Sequence, residues 1–387
     1  MTSKPRQAFC ILDGNWDSTV RLFEQLADQV PLYFVKTRTI QQARASGWTF
    51  RSCLRARPLA ANQFERRFMF PSGWFSALAP VFMPLLAGLV RREMQKLNLE
   101  SASVVITYPQ YLAAARKFKP ARTIYYCVDD YRGYWPARAR QIEVMENQVI
   151  QEVDLVLCTA KFMQEEFIRR VPGAAAKIHH LPNGTRESFL VPQPLLKPDP
   201  LPEDLAHIPG PVLGYLGSIS GRINWDIVEA VLKQFPSASV VFIGPPPPAN
   251  SRDADLMSQF KRYPNFHFVG PRPQEKIMAY IRAFDICLIP EPYEPLNIAG
   301  CPQKLWNYLA SSRPVVSTDV PEQAMWSPAV CISRRAEDFC EHIARLMACG
   351  GQDGQAGQRL EIARNHIWPR LAEKLRENLD QNKLVKH

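Results

Sequence analysis

The sequence has no paired-cysteine pattern. Its nine cysteines include no CxxC and follow no even spacing. That argues against a disulfide framework, and the cysteines read as small hydrophobes in a reduced, cytosolic interior. Histidine is scarce, with seven residues scattered over 387, so no metal site is expected. Neither GxGxxG nor GxxxxGK[ST] occurs, which disfavours dinucleotide-binding and P-loop chemistry. The N-terminus carries one short apolar run, residues 8–12. It reads as a buried first strand and not as a signal peptide. Residues 74–90 (WFSALAPVFMPLLAGLV) run 17 residues without a charge. A membrane span needs roughly 20 apolar residues. Pro80, Pro84 and Gly88 interrupt the run, and Arg91-Arg92 ends it. Three readings stay open for it: a buried or kinked helix pair, an element dipping into a membrane surface, and a true span.

Charge is present in unequal halves. Hydrophobic residues are 46% and charged residues 22%, as in globular proteins, and the length suits two domains. Lys and Arg number 47 against 37 Asp and Glu, net +10. Residues 1–195 hold the whole excess, and residues 36–122 alone hold 15 basic against 3 acidic side chains. No interleaved aromatic platform or known motif accompanies it, so nucleic acid is not an expected partner. A basic stretch around an apolar run instead suits an anionic membrane face.

Short apolar, β-branched runs alternate with helical patterns. Candidate strands are 9–12, 32–36, 104–107, 124–128, 155–159 and 178–181, with helices at 19–29, 138–152 and 160–170. Residues 191–211 then hold seven prolines, which reads as a stiff linker. The rhythm restarts with strands at 212–216, 240–243, 266–269, 286–289 and 315–317. The fold class is therefore α/β, as two doubly wound domains. The boundaries are 1–195, a linker at 196–211, 212–357, and a kinked terminal helix at 358–387 whose Leu stripe could pack back across the first domain.

In open α/β sheets, ligands meet the carboxyl ends of strands. The strand 212–216 ends in Gly217-Ser218-Ile219-Ser220-Gly221-Arg222. Small residues there let backbone N–H groups approach an anion, and Arg222 adds positive charge. A plain tight turn explains the same residues. Gly244 opens a polyproline loop, either a rigid connection or one wall of a nucleotide pocket. Glu291, Glu294 and Asn297 follow the strand 286–289. Lys304 stands in the first turn of the next helix, where a cation is disfavoured. An anionic ligand would outweigh that penalty; a solvent-facing lysine is the alternative.

The segments FDICLIP and PQKLWNYLASSRPVVST resemble the second-domain signature of GT-B glycosyltransferases of group 1, the family-4 type that includes bacterial polysaccharide and teichuronic-acid enzymes. GYLGSISGRINWDIVEAVLKQFPSASVVFIGP, YYCVDDY and LPNG extend the resemblance over most of 104–320. It implies two Rossmann-like domains facing a cleft, a C-terminal helix packing back on the first domain, and a hexosyltransferase. The donor would be a UDP- or GDP-sugar, used as substrate with no cofactor or metal. Gly217, Ser218, Arg222 and Gly244 would face the pyrophosphate with Lys304 as its countercharge, and Glu294 to Asn297 would face the sugar, with Glu294 a catalytic candidate. The family places Glu at the ribose contact, where this chain has Asn307. A Glu-x7-Glu pair is also absent. On the acceptor side, Gly14 would lie near the donor phosphates, and Asp129 and Asp130 would line the cleft. Either aspartate could act as general base or bind the acceptor hydroxyl; helix capping explains them equally. The resemblance implies retention of configuration and a lipid-linked or cell-surface polysaccharide acceptor. The expected place is cytoplasmic, peripheral on the inner face of the membrane through residues 36–122. A catalytically degenerate binding or partner protein is the alternative, suggested by Asn307 and the missing pair.

Overall fold

The structure, a computed structural model, describes residues 8–384. The start of the sequence, through Gln7, and residues 385–387 of the terminal-helix assignment lie outside the described residues. The chain divides into two compact units, Met1–Pro182 with Trp368–His387, and Asn183–Ile367.

The first unit is built on an eight-stranded sheet. Its strands are β1 (Phe9–Leu12), β2 (Leu32–Thr39), β3 (Arg57–Ala60), β4 (Gln63–Phe70), β5 (Ser103–Ile106), β6 (Thr123–Cys127), β7 (Leu155–Cys158) and β8 (Ile178–His180). The order is β3-β4-β2-β1-β5-β6-β7-β8. Only the β3–β4 pair is antiparallel. Strands β1, β5 and β7 are buried along their whole length, as apolar runs covered on both faces should be. The β3–β4 hairpin has no such signature. β3 is exposed throughout and turns at Asn62, whose φ is +59°. β4 pairs along β2 and buries Phe68 and Phe70, and an ionic cluster joins it to β3. The Glu65 carboxylate, 2% exposed, meets Lys36, Arg57 and Arg67 at 2.9, 2.7 and 2.7 Å. Burial pulls the Glu65 carboxyl upward, but these three cations outweigh it and hold it at about 2.

The apolar run 74–90 forms turns and then one helix, Ala79–Lys96, where a helix pair was one of the expectations. Pro80 sits in its first turn and Pro84 lies inside it. Met83, Leu86, Ala87, Val90 and Met94 face the unit's core, while Val81, Leu85 and Leu89 are exposed. Among the described residues, no helix is long and apolar enough to cross a membrane.

The second unit has six parallel strands: β9 (Val212–Leu216), β10 (Ser239–Ile243), β11 (Phe266–Gly270), β12 (Ile286–Ile289), β13 (Val315–Thr318) and β14 (Cys331–Ser333). Their order, β11-β10-β9-β12-β13-β14, is the doubly wound 3-2-1-4-5-6 arrangement. The core joins Leu213, Tyr215, Phe242 and Ile286 to Trp225, Val228 and Phe339 on covering helices. Residues 183–191 fold with this unit because Asn183 and Thr185 bond to Cys301 and Asn307, and the Val191 N–H to Ala310. The Pro-rich stretch contains a short helix, Glu203–Ala206.

The C-terminal Leu stripe breaks between Arg364 and Trp368, and its halves belong to different units. Helix Ala356–Arg364 places the fully buried Arg359 against Asp353 in the second unit. Helix Trp368–Leu384 packs against helix Asp17–Glu24 of the first unit, and the Leu379 carbonyl accepts from the Arg122 guanidinium.

Candidate active site

Each sheet has one place where the strand order reverses. A crevice outside the strand ends forms there, because the connections leave in opposite directions. In the second unit the reversal lies between β9 and β12. Gly217 and Ser218 leave β9, and Glu291 leaves β12. Lys304, in the first turn of helix Gln303–Ala310, reaches between them. Its Nζ lies 3.0 Å from Glu291 Oε1, donates to the Tyr215 hydroxyl at 3.2 Å, and sits 4.5 Å from that ring's centre. Tyr215 in turn donates to the Ser218 carbonyl at 3.1 Å. Glu291 also accepts from Gln323 at 2.9 Å.

Lys304 is 13% exposed and Glu291 5%. Burial pushes the Lys304 ammonium down, but Tyr215 and Glu291 outweigh it and raise it above its ordinary value. The cation at a helix N-terminus thus has its compensating anion inside the protein. The same side chain lies against the glycine turn: a Cβ on Gly217 would lie 3.1 Å from Lys304 Cε.

Gly217 and Gly244 form a close backbone crossing. A Cβ on Gly244, whose φ is +151°, would fall 2.0 Å from the Gly217 carbonyl oxygen. Only glycine fits there. The Gly217 N–H is spent on Ile243, so the turn's approach to a ligand runs through Ser218, which is exposed. The Arg222 guanidinium lies against Gly300, where a Cβ would stand 3.4 Å from Nη1.

The remaining predicted residues of this unit differ in place. Glu294 is exposed at the start of the short helix Pro295–Ile298 and caps nothing with its side chain. Asn297 is buried and donates to the Pro292 carbonyl at 2.9 Å, bracing the loop. Asn307 is buried one turn beyond Lys304 and accepts from the Thr185 hydroxyl at 3.0 Å. The loop that carries Thr185 also pins the helix start: Asn183 donates to the Cys301 carbonyl at 2.6 Å, and the Gly184 carbonyl accepts from Gln303.

In the first unit the order reverses between β1 and β5. Gly14 is held by packing: its N–H donates to Val35 at 2.9 Å, and a Cβ would meet Phe34 at 3.1 Å. The residue that enters the crevice is its neighbour Asp13, in a left-handed conformation with φ +66°. Asp13 is 6% exposed and takes a hydrogen bond from Asn15. Burial lifts its carboxyl to about 7, against the opposing pull of Asn15 and Arg38. With Trp16, Phe75, Tyr108 and Trp135 it lines a cavity of about 620 Å³.

Asp129 and Asp130 follow β6, and both are buried. Asp129 accepts from the Tyr134 hydroxyl at 2.6 Å. Asp130 caps helix Tyr131–Tyr134 through the Arg132 N–H and pairs with the Arg132 guanidinium at 2.9 and 3.0 Å. Arg132 continues to Glu143 and Glu166. Asp130 is thereby occupied twice over, as a cap and in an ion-pair network.

Sequence reasoning passed over Asp13, Tyr215 and the bracing role of Asn183. A polar residue directly after an apolar strand beside a glycine was the available signal for Asp13. It also passed over a DxD triplet, Asp253-Ala254-Asp255. That triplet lies in the first turn of helix Arg252–Phe260, where Asp253 accepts from the Trp225 indole at 2.9 Å. Among the described residues, no three His, Cys, Asp or Glu side chains converge as metal ligands.

Residues 210–349 match the family model described as Glycosyl transferases group 1. TuaH of Bacillus subtilis (strain 168), named as a teichuronic acid biosynthesis glycosyltransferase, is 24% identical over 288 residues, covering 70% of each chain. The fold matches sucrose-phosphate synthase from Thermosynechococcus elongatus with a TM-score of 0.74, at 15% identity over 98% of this chain and 100% of that one. HepE of Anabaena, solved in complex with UDP, matches with a TM-score of 0.67, at 13% identity over 97% and 99%.

Proposed function

We propose that this chain, which carries a group 1 glycosyltransferase domain in a GT-B fold, moves a hexosyl unit from a UDP- or GDP-sugar to a lipid-linked or cell-surface polysaccharide. The observation that carries the reading is the Lys304 ammonium at the β9–β12 reversal, beside the Gly217–Ser218 turn. That HepE binds UDP on the same fold supports a nucleoside diphosphate as the donor's leaving portion.

As the bond from the anomeric carbon to the diphosphate oxygen breaks, negative charge grows on that oxygen. Fixed positive charge where it grows lowers the barrier. Lys304 stands at the crevice and Arg222 lies against Gly300, and in this reading they carry the countercharge without a metal. The Glu291 carboxylate holds Lys304 in place before the donor arrives, and the diphosphate then competes for the same ammonium. The acceptor hydroxyl attacks the anomeric carbon on the face from which the diphosphate departs and passes its proton to the departing diphosphate oxygen, which gives the retention of configuration that the family resemblance implies. The chain works at the inner face of the membrane, where the basic excess of residues 36–122 meets anionic lipid.

The test is release of nucleoside diphosphate from a panel of UDP- and GDP-sugars, with and without membrane extract. The reading expects one sugar nucleotide to be consumed faster with the extract, and Lys304→Ala to abolish the reaction. Donor binding without turnover would favour the catalytically degenerate reading. No binding by any donor, together with no effect of Lys304→Ala, would overturn both.

A further inference from the structure

Beside the Asp13 cavity lies a second, larger one of about 1230 Å³, also wholly within the first unit. Helix Ala79–Lys96 forms one wall with Pro80, Met83 and Pro84, and Ile142 and Met145 of helix Ala139–Glu152 form the other. The two cavities share Thr39, Trp74, Phe75 and Trp135 in their linings, so they are neighbouring compartments.

Their chemistry differs. The small cavity has a buried carboxyl, Asp13, among aromatic rings. Aromatic faces take the C–H side of a sugar, and a carboxyl takes its hydroxyls. Asn15 Oδ1, also in that lining, is buried without a hydrogen-bond partner. The large groove is mainly apolar, and its edge is basic. Lys117 and Arg138 line it, are exposed, and have no ion-pair partner among the described residues. Arg116 also lines it but is held by Glu152 at 2.9 and 2.5 Å. Leu78, Val81 and Leu85, next in sequence to the lining residues Ala79, Pro80 and Pro84, stand 41, 65 and 49% exposed, so apolar surface adjoins the groove in the chain.

An occupant that matches all three features is an amphiphile with an apolar chain, an anionic phosphate and a sugar. We propose that the groove between helices Ala79–Lys96 and Ala139–Glu152 binds the apolar chain of a lipid-linked saccharide acceptor. Lys117 and Arg138 hold its phosphate, and the Asp13 cavity holds its sugar. The site rests on the glycosyltransferase reading for its role, but its binding is measurable without turnover. The charge complementarity at the rim selects a phosphorylated chain over a neutral one, because an apolar groove alone would not distinguish them.

The experiment uses the full chain and farnesyl phosphate below its micelle concentration, followed by calorimetric titration. Farnesol and anionic phosphatidylglycerol vesicles are run beside it. Ala113→Trp fills the groove from an exposed position. Lys117→Glu with Arg138→Glu reverses the rim. The proposal expects farnesyl phosphate to bind at least tenfold more tightly than farnesol. Each variant should weaken farnesyl phosphate at least tenfold, while UDP or GDP binding and thermal midpoint stay as in the parent. Binding to vesicles without binding to farnesyl phosphate would overturn it, as would affinity unmoved by Ala113→Trp or equal affinity for farnesol. Failure of donor turnover with these results intact would fault the proposed function alone.

Discussion

Removing Lys304 should separate two roles of one ammonium. In Lys304→Met, Glu291 loses its cation while 5% exposed, keeping only Gln323 and the protein's neutral groups as partners. Breaking a buried pair from one side costs about 3–5 kcal/mol, because the remaining charge is uncompensated. Lys304→Met should therefore lose about that much stability in urea unfolding at pH 7. Adding Glu291→Gln removes the stranded charge, and the double variant should regain most of the loss. Affinity for the diphosphate should not return with stability. A charge-assisted hydrogen bond contributes about 1.5–3 kcal/mol, or roughly 10- to 150-fold in Kd. Calorimetric titration with UDP and GDP should show that loss in both Lys304→Met and the double variant. Glu291→Gln alone removes the internal competitor, so it should bind the nucleotide more tightly than the parent. Parental nucleotide affinity in the double variant would refute the reasoning, because Lys304 would then serve only to neutralise Glu291. An unchanged stability in Lys304→Met would refute the buried pair itself.

Three further perturbations test the frame around the two crevices. Gly244→Ala places a Cβ 2.0 Å from the Gly217 oxygen; it should destabilise by about 3 kcal/mol or more and abolish nucleotide binding, as read by thermal midpoint and titration. Asp13 has its carboxyl raised to about 7. A raised acid adds stability below its ordinary range near pH 4 and loses it as pH climbs through about 7. Asp13→Asn should therefore match the parent at low pH and exceed it above pH 7, by on the order of 2–4 kcal/mol in urea midpoints. Glu65 is the opposite case, lowered to about 2: its contribution is present above about pH 4.5 and fades as pH falls toward 2. Glu65→Gln should be about 2–3 kcal/mol less stable at neutral pH, with the gap closing in acid unfolding.

Most of the parallel strands were legible because burial on both faces leaves an unbroken apolar run; β14, a three-residue edge strand, and β4 were not among them. β1, β7, β9 and β12 all read that way. The β3–β4 hairpin was not, because RPLA is exposed throughout and the charges Glu65, Arg66 and Arg67 interrupt the apolar residues of QFERRFMF. The exact end of the first unit was hidden too. A proline cluster is visible in sequence, whereas the hydrogen bonds of Asn183, Thr185 and Val191 to residues more than a hundred positions away are not. At the site, Lys304 and the glycine turn stood out by position in the helix and after the strand. Glu291 as the partner of Lys304 did not, since a separation of 13 residues matches no local period. Asp129 and Asp130 looked equivalent in YYCVDDY. Only the fold assigns one to Tyr134 and the other to Arg132.

In the proposed reaction the β9–β12 reversal holds the donor's diphosphate. A crystal structure with the UDP- or GDP-sugar that the turnover panel selects tests it most directly. A phosphate oxygen is expected within hydrogen-bonding distance of Lys304 Nζ and of the Ser218 backbone, with the Lys304–Glu291 contact lengthened from its present 3.0 Å. A nucleotide bound elsewhere, with Lys304 still closed on Glu291, would contradict it.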